Sequence, residues 1–299
     1  MKMQNIRRKT ASLLAAACLL PAAGCASGGT SQQSSAAEPE ARAVTGEVKI
    51  TAFNVGKADA LVVQSQNSVT VIDAGNKGDG KYIDKYLSAQ GIDTVDRMII
   101  THFDKDHVGG ASRVVNKLKV KEVIVPDYTS EIDEYKNFIE KTEETETPVT
   151  VLAAGSDYFF EADDIAATIY APMKTDYGKD EENDFSLALY MQHGEKTFLF
   201  AGDAEDARQQ ELMDLKLGMV DFLKFPYHGN YMKTTEAFLD AFKPKCTIVC
   251  CSEKEYADPS TVDTLQKRGI ETYYTCDGTV TVVSDGKQLT CSQEAAAEK

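Results

Sequence analysis

Short apolar runs, many of them alternating with polar residues, recur along the chain from residue 48 onward and predict β-strands. We predict strands at residues 48–54, 60–64, 69–73, 97–101, 122–126, 149–152, 166–170, 186–192, 196–201, 220–225, 247–252, 272–276, 279–283 and 287–291. The stretches between them predict helices at 82–90, 109–117, 132–141, 204–215 and 259–268. The first three strands form a meander and the later ones alternate with helices, so the order predicts an α/β fold.

The first residues of the chain have the pattern of a secretory signal. Four basic residues lie within 2–9, an apolar stretch follows at 11–20, and small residues precede Cys25. The apolar stretch is too short to span a bilayer. The ending resembles a bacterial lipobox, although Ala22 stands where leucine is usual. We therefore expect residues 1–24 to be a lipoprotein-type signal peptide and Cys25 to carry the lipid, with a plain signal peptide as the alternative.

Composition divides the rest of the chain. Residues 25–46 are rich in Ser, Gly, Gln, Ala and Glu and predict a disordered tether. Residues 47–291 have the length of one α/β domain, and 292–299 predict a disordered tail. These boundaries predict a bacterial protein secreted across the cytoplasmic membrane and anchored on its outer face. The whole chain has a net charge of −15, which becomes −19 without residues 1–24. Such acidity is unfavourable for gripping a polyanion.

Five cysteines remain beyond Cys25, and an odd number cannot all pair. They are Cys246, Cys250, Cys251, Cys276 and Cys291. Their spacing does not match a zinc motif. Two interpretations stay open: small buried residues in C-terminal strands, or one disulfide that joins Cys276 to a neighbouring strand.

Three of the four histidines follow predicted strands. His102 and His107 lie in a run with Asp104 and Asp106, directly after the apolar residues 98–100. His228 follows the strand predicted at 220–225. Sites of α/β proteins are built where strands end, and imidazole with carboxylate binds divalent metals. The pattern therefore predicts a metal site.

The run resembles the H-x-H-x-D-H signature of the metallo-β-lactamase superfamily. Within that superfamily, the order of motifs is similar to the hydrolase domain of ComEC-type competence proteins. The matching motifs are residues 54–60, 71–75, 102–107, 183–187, 200–203 and 224–230. The resemblance covers roughly residues 47–291 and implies a four-layer αββα sandwich.

The resemblance also implies one or two divalent ions, zinc or manganese, that activate a water. It assigns His102 and Asp104 to one metal, Asp106, His107 and His228 to a second, and Asp203 to the position between them. Asp106 is expected to be essential for catalysis, and Asp73 to orient a ligand or the metal loop from behind. Asp104 stands where the signature has its second histidine, which shifts the preference toward manganese or iron. His193, the remaining histidine, lies in a predicted turn roughly 20 Å from Asp203 and is not expected to bind metal.

Further polar residues flank these motifs. Asn183 and Ser186 match polar positions of the branch and either contact substrate or cap a strand. We expect Lys57, Lys105, Lys224 and Lys233 to form a positive ring around the cleft, with ordinary solvated lysines as the alternative. Lys224 is the strongest candidate for stabilising the transition state, because its strand leads to His228.

The resulting function is an extracellular, lipid-anchored, metal-dependent hydrolase of phosphodiester or phosphate-ester bonds. Its expected partners are an anionic ester, with nucleic acid or a small phosphodiester as candidates, and a membrane reached through the lipid. The sequence suggests no protein partner. The alternatives are a hydrolase of carboxylic esters, lactones or thioesters, and a non-catalytic binding lipoprotein with a degenerate site.

Overall fold

The computed structural model describes Val44, residues 46–178 and residues 182–294. The strands in these ranges are β1 Val48–Ala52, β2 Ala60–Gln64, β3 Val69–Ala74, β4 Thr94–Val95, β5 Arg97–Ile99, β6 Lys119–Val120, β7 Val123–Pro126, β8 Val149–Leu152, β9 Asp157–Ala162, β10 Ile165–Tyr170, β11 Ala188–His193, β12 Lys196–Phe200, β13 Phe222–Lys224, β14 Cys246–Val249, β15 Glu271–Tyr274, β16 Val280–Ser284 and β17 Leu289–Gln293. The helices are α1 Gly80–Ser88, α2 Lys105–Val108, α3 Ala111–Lys117, α4 Asp133–Glu144, α5 Asp206–Asp214, α6 Thr235–Phe242 and α7 Pro259–Lys267.

Two large mixed sheets form the centre of the domain. The first has the strand order β17-β16-β1-β2-β3-β5-β7-β8, and the second has the order β15-β14-β13-β12-β11-β10-β9. The predicted meander is confirmed, because β1, β2 and β3 are antiparallel neighbours. In each sheet the strands that alternate with helices pair in parallel, as β3, β5, β7 and β8 do.

Three hydrophobic cores separate four layers. One core lies between the sheets and includes Ile50 and Phe222. A second packs the first sheet against α1, α3 and α4. The third packs the second sheet against α5, α6 and α7. The four-layer αββα sandwich is thereby confirmed. Central parallel strands such as β14 are buried on both faces, as their continuous apolar sequences require.

The sequence missed two substantial elements. β9 is an edge strand whose Phe159 is 62% exposed and whose ends carry charged residues, so its pattern is that of a loop. α6 is only eight residues long and was not predicted at all. No helix in the described ranges is long and apolar enough to cross a membrane.

The ends of the domain differ from the predicted boundaries. Val44 lies against the hairpin turns at Gly194 and Gly286, and the Gly46 amide donates to Asp164. Ordered packing therefore begins before residue 47. β17 extends to Gln293, so the prediction that the tail starts at residue 292 is wrong. The predicted signal peptide, Cys25 and most of the predicted tether lie outside the described residues, as do residues 295–299.

All five C-terminal cysteines are thiols in the structure, and four of them are buried. Two pairs face each other: the Sγ atoms of Cys246 and Cys291 are 3.0 Å apart, and those of Cys251 and Cys276 are 3.6 Å apart. Cys250 is buried without a cysteine partner of this kind. The odd count thus resolves into two facing pairs and one single thiol.

Candidate metal centre

Strand ends from both sheets meet at one edge of the sandwich. β3 ends beside Asp73, β5 leads to His102, β12 leads to Asp203, and β13 leads to His228. Asp59 directly precedes β2, which runs antiparallel to β3, so it lies at the same edge. The sequence prediction of a site after these strands agrees with this placement.

Four buried side chains converge there. Each of Asp59, His107, Asp203 and His228 offers one ligand atom, and these atoms all lie within 4.8 Å of one another. Asp203 Oδ2 is 3.2 Å from His107 Nε2 and 2.9 Å from His228 Nε2. Asp203 therefore lies between the two histidines.

Hydrogen bonds on the far side orient both imidazoles. Nδ1 of His107 donates to Asp73 Oδ2 at 2.8 Å, since the carboxylate can only accept. Nδ1 of His228 donates to the Cys250 carbonyl at 2.9 Å. With the proton on Nδ1, each Nε2 directs a lone pair into the cluster, which is the tautomer that a metal requires. Asp73 also accepts from the Thr101 amide and hydroxyl, so it fixes the start of the metal loop.

Several atoms of the cluster have no hydrogen-bond partner. Nine buried side-chain nitrogens or oxygens lack one within the ranges that the structure describes. Four of the nine belong here: Asp59 Oδ1 and the Nε2 atoms of His102, His107 and His228. In the metal-binding tautomer, the Nε2 atoms of His107 and His228 face carboxylate oxygens, which cannot donate to a lone pair, so either a second proton or a cation must lie between nitrogen and oxygen. A divalent cation would satisfy nitrogens and oxygens together, so the residues fit a metal.

The cluster is strongly polarised. Burial alone would lower the pKa of His107, but the carboxylates of Asp203, Asp73 and Asp59 outweigh it and raise that pKa well above its ordinary value. Burial opposes the same shift in His228, where Asp203 and Asp106 raise the pKa to about 9. Without a metal, both imidazoles therefore hold a second proton at neutral pH. A metal must displace these protons when it binds.

The remaining predicted ligands surround this cluster. Asp106 Oδ2 is 3.1 Å from His228 Nε2, and its side chain is 29% exposed. The ring centroid of His102 lies 4.1 Å from that of His107, with the planes inclined by 49°, and His102 Nε2 is 3.7 Å from Asp104 Oδ2. Asp104 is the most open of the set, with 41% of its side chain exposed. The structure thus brings all six predicted ligands to one edge, with His102 and Asp104 beside the four-residue cluster.

Asp59 is the ligand candidate that sequence reasoning missed. It lies within the motif of residues 54–60, and its buried carboxylate, 1% exposed, belongs to the cluster. Its amide donates to the Asp106 carbonyl, and its carbonyl accepts from Gly75, so the loop is fastened to both neighbours. One feature of the sequence indicates this role: Asp59 lies between two alanines at the start of an apolar strand. A carboxylate buried there requires a cation or a hydrogen-bond donor beside it.

Lys224 corrects the prediction of a substrate-binding lysine. It is 1% exposed, and its ammonium contacts Asp59, lies 3.2 Å from Asp203 Oδ1 and donates to the Gly202 carbonyl at 2.9 Å. Burial would lower its pKa, but Asp59 and Asp203 raise it above the ordinary value. Lys224 therefore stays charged behind the cluster and positions two aspartates.

The other three lysines of the predicted ring are less buried than Lys224. Lys57 Nζ lies 4.0 Å from Glu255, while Lys105 and Lys233 are exposed. Because Lys224 is buried, the predicted ring of four lysines is wrong in that member. The exposure of Lys105 and Lys233 fits the solvated alternative as well as a place on the rim, so for these lysines the ring stays a prediction.

Asn183, Ser186 and His193 form hydrogen bonds with other side chains or backbone groups of the protein. Asn183 donates to Glu205 at 2.7 Å. The Ser186 hydroxyl is buried and accepts from the Asp203 amide at 3.0 Å, 3.4 Å from His102 Nδ1. His193 is the last residue of β11, fully buried, with Nδ1 2.8 Å from the Ser284 hydroxyl. It ends the strand instead of lying in the predicted turn, and, as expected, it is not part of the four-residue cluster.

Backbone strain marks the same edge. Asp73, Tyr227 and His228 have positive φ angles of 54°, 48° and 51°. Non-glycine residues adopt this conformation at a cost, and such residues concentrate at functional sites. Tyr227 is half-buried; burial and the carboxylates of Glu205 and Asp203 raise its pKa, so its phenol stays protonated.

Gly110 and Gly80 lie in close contact at the end of the metal loop. A Cβ on Gly110 would lie 2.1 Å from the Ala74 carbonyl oxygen and 2.5 Å from the Gly80 amide. Only glycine therefore allows α3 to begin against the end of β3. This contact sets where α2, with Asp106 and His107, meets the sheet.

Comparisons with known proteins agree with this geometry. ComE operon protein 3 of Bacillus subtilis is 29% identical over 171 residues, which are 56% of this chain and 21% of that protein. Recombination protein 2 of Haemophilus influenzae is 24% identical over 206 residues, which are 67% of this chain and 24% of that protein. The chain thus spans about a quarter or less of the length of these ComEC-type relatives.

Solved structures share the fold. Igni18, a metallo hydrolase from the archaeon Ignicoccus hospitalis, superposes with a TM-score of 0.51 at 17% identity, covering 79% of this chain and 98% of that one. The family model described as the Metallo-beta-lactamase superfamily matches residues 54–253, which include every residue of the metal cluster. The chain therefore belongs to the metallo-β-lactamase superfamily of metal-dependent hydrolases.

Proposed function

We propose that this protein hydrolyses phosphodiester or phosphate-ester bonds. The observation that carries the proposal is the set of unpartnered, buried histidine nitrogens that face carboxylates at one strand edge. When bound, a divalent metal lowers the pKa of a coordinated water, which can then attack an ester near neutral pH.

Seven residues of the chain would hold one or two metal ions. His107, His228, Asp203 and Asp59 would hold the metal, and Asp106, 3.1 Å from His228 Nε2, is placed to join them. His102 and Asp104 offer a neighbouring position for a second ion. Manganese or zinc would suit nitrogen and carboxylate ligands, with the acidic share favouring manganese.

The substrate class rests on different support. Recombination protein 2 is named for recombination, a process of nucleic acids, which supports a phosphodiester substrate. The half-buried Tyr227, with its proton retained, could donate to an ester oxygen at the site. Because Lys224 is buried with Asp59 and Asp203, the positive charge that an anionic ester needs must come from bound metal.

One observation favours the second candidate, a carboxylic ester, lactone or thioester hydrolase. The exposed rim of the site is acidic: Asp104 and Asp106 are 41% and 29% exposed, and burial together with Asp104 raises the pKa of nearby Glu182. Such a rim repels anions when metal occupancy is low.

A matched substrate pair tests the proposal. Metal-free protein is loaded with manganese or zinc, and kcat/KM is measured on bis(p-nitrophenyl) phosphate and on p-nitrophenyl acetate. We expect metal-dependent turnover of the phosphodiester, lost in His107→Ala and retained in Lys117→Ala, a control at the exposed end of α3. Metal-dependent activity on the carboxylic ester alone would select the second candidate. No metal-dependent activity on either class would favour a binding role.

Location is part of the same proposal. The amino-terminal pattern supports a protein held outside the cytoplasmic membrane by a lipid on Cys25. Fractionation of wild type and Cys25→Ser provides the test: we expect the variant to leave the membrane fraction or to remain unprocessed. The same membrane fractionation for both forms would exclude the anchor.

A further inference from the structure

Two cysteines lie across the central interface of the domain. Cys246 begins β14 in the second sheet, and Cys291 lies in β17, the outermost strand of the first. Their Sγ atoms are 3.0 Å apart, although 45 positions separate the residues in sequence. A disulfide has its sulfurs about 2.05 Å apart, so a movement of about 1 Å would close the bond.

Strand register directs both thiols into the interface. Cys291 pairs with Val282 of β16, which is fully buried between the sheets. Its neighbours Thr290 and Ser292 are exposed on the opposite face of β17. Cys246 is 3% exposed and belongs to the same core. The two side chains thus meet because each strand alternates, and a shift of one residue in β17 would separate them.

The pair also has the asymmetry that thiol exchange needs. Either thiol can donate in this contact. When Cys291 is the thiolate it accepts from Cys246, which lowers the pKa of Cys291, while the same contact and burial raise the pKa of Cys246. Cys291 is half-buried, so small reagents can approach it. The accessible sulfur is therefore the better nucleophile of the two.

We propose that Cys246 and Cys291 are an oxidisable pair that forms a disulfide between the two sheets. The oxidant is a small-molecule disulfide or a protein disulfide. The Cys291 thiolate attacks one sulfur of that disulfide and releases a thiolate; Cys246 then loses its proton and attacks Cys291 Sγ, which releases the second. Two electrons pass from the protein dithiol to the external disulfide, which becomes two thiols.

The bond would fasten a strand that is otherwise held on one side. β17 pairs with β16 only and is the last strand in the described part of the chain. Closing a loop of 45 positions restricts the unfolded chain considerably. For a domain of this size, we expect the melting temperature to rise by about 5 to 15 °C on oxidation. This inference is independent of the metal centre and of the proposed function.

Peptide mapping tests the proposal in the full chain. The protein is incubated with excess oxidised glutathione, remaining thiols are alkylated, and trypsin releases residues 246–254, with three cysteines, and 288–299, with Cys291 alone. We expect these two peptides to be joined. The joined species should disappear in Cys246→Ser, which distinguishes Cys246 from Cys250 and Cys251 in the same peptide.

A register variant supplies the matched control. The double change Cys291→Ser with Ser292→Cys keeps one thiol in β17 but moves it to the exposed face. We expect neither the joined peptide nor the rise in melting temperature in this variant. The proposal is overturned if wild type gives no joined peptide, if Cys246→Ser leaves it intact, or if the register variant forms it equally well.

Discussion

Replacement of Lys224 by methionine removes a buried charge while keeping the length of the side chain. In the metal-free protein, Asp59 and Asp203 would then lose this ammonium and keep the protonated imidazoles of His107 and His228 as neighbouring cations. Breaking a buried ion pair from one side costs about 3 to 5 kcal/mol. In a domain of this size, 1 kcal/mol corresponds to about 2 to 4 °C, so we expect the melting temperature of the metal-free variant to fall by roughly 6 to 20 °C.

Metal should reverse most of this loss. A divalent ion bound to Asp59 and Asp203 supplies the positive charge that Lys224 provides in its absence. We expect the difference in melting temperature between wild type and Lys224→Met to be less than half as large with saturating manganese as with chelator. Calorimetry of both proteins in both conditions gives the comparison. Lys105→Met is the control, because Lys105 is exposed and should change neither value.

Kinetics separate the positioning role of Lys224 from contact with substrate. Since its ammonium is 1% exposed and faces the aspartates, Lys224→Met should reduce kcat/KM equally on a phosphodiester and on a neutral ester. A loss confined to the phosphodiester would show that Lys224 reaches the substrate. An equal fall in melting temperature with and without metal would refute the charge argument itself.

Four further predictions concern the metal site and the buried His193. Metal affinity should tighten by roughly fiftyfold between pH 7 and 9 from the second proton of His228 alone, because that residue has a pKa of about 9 without metal; competition titration against a chelator measures this. By linkage, the raised pKa of His228 stabilises the metal-free fold at low pH, and calorimetry should show that contribution being lost as pH rises from about 6.5 through 9. Asp73→Asn should weaken metal binding by about ten- to a hundredfold, since the carboxylate orients His107, and a normal affinity would show that this hydrogen bond is dispensable. His193→Ala should lower stability by about 1 to 3 kcal/mol through its lost contact with Ser284 and leave metal content unchanged by elemental analysis.

Sequence reasoning reached the fold and the metal loop because their signals are local. The strand before His102, the run of ligands and the strand before His228 are each continuous segments, and strand ends converge in this class of fold. The order of these motifs carries the resemblance to the superfamily, and the resemblance implied the four layers, whereas the alternation of strands and helices alone predicted only an α/β fold. β9 was missed because an edge strand needs less apolar sequence than a central one.

The sequence could not show whether a charged side chain near the site points toward the substrate or into the protein. Lys224 and Asp59 are 165 positions apart, and only the packing of one sheet against the other brings them together. Proximity to a motif made Lys224 a candidate for substrate contact, whereas its direction into the protein makes it a partner of the aspartates. The facing of Cys246 and Cys291 depends in the same way on the register of β17.

The left-handed backbone at Tyr227 and His228 lowers the stability of the fold while it places the Tyr227 ring and the His228 imidazole at the site. A glycine would adopt φ near +50° without penalty, so Tyr227→Gly would relieve strain and remove the ring beside Glu205 and Asp203. A search for stabilising substitutions alone would select that change. Engineering this protein for heat resistance should therefore leave residues 226–230 untouched and seek its gains in β9, β17 and the exposed helix faces.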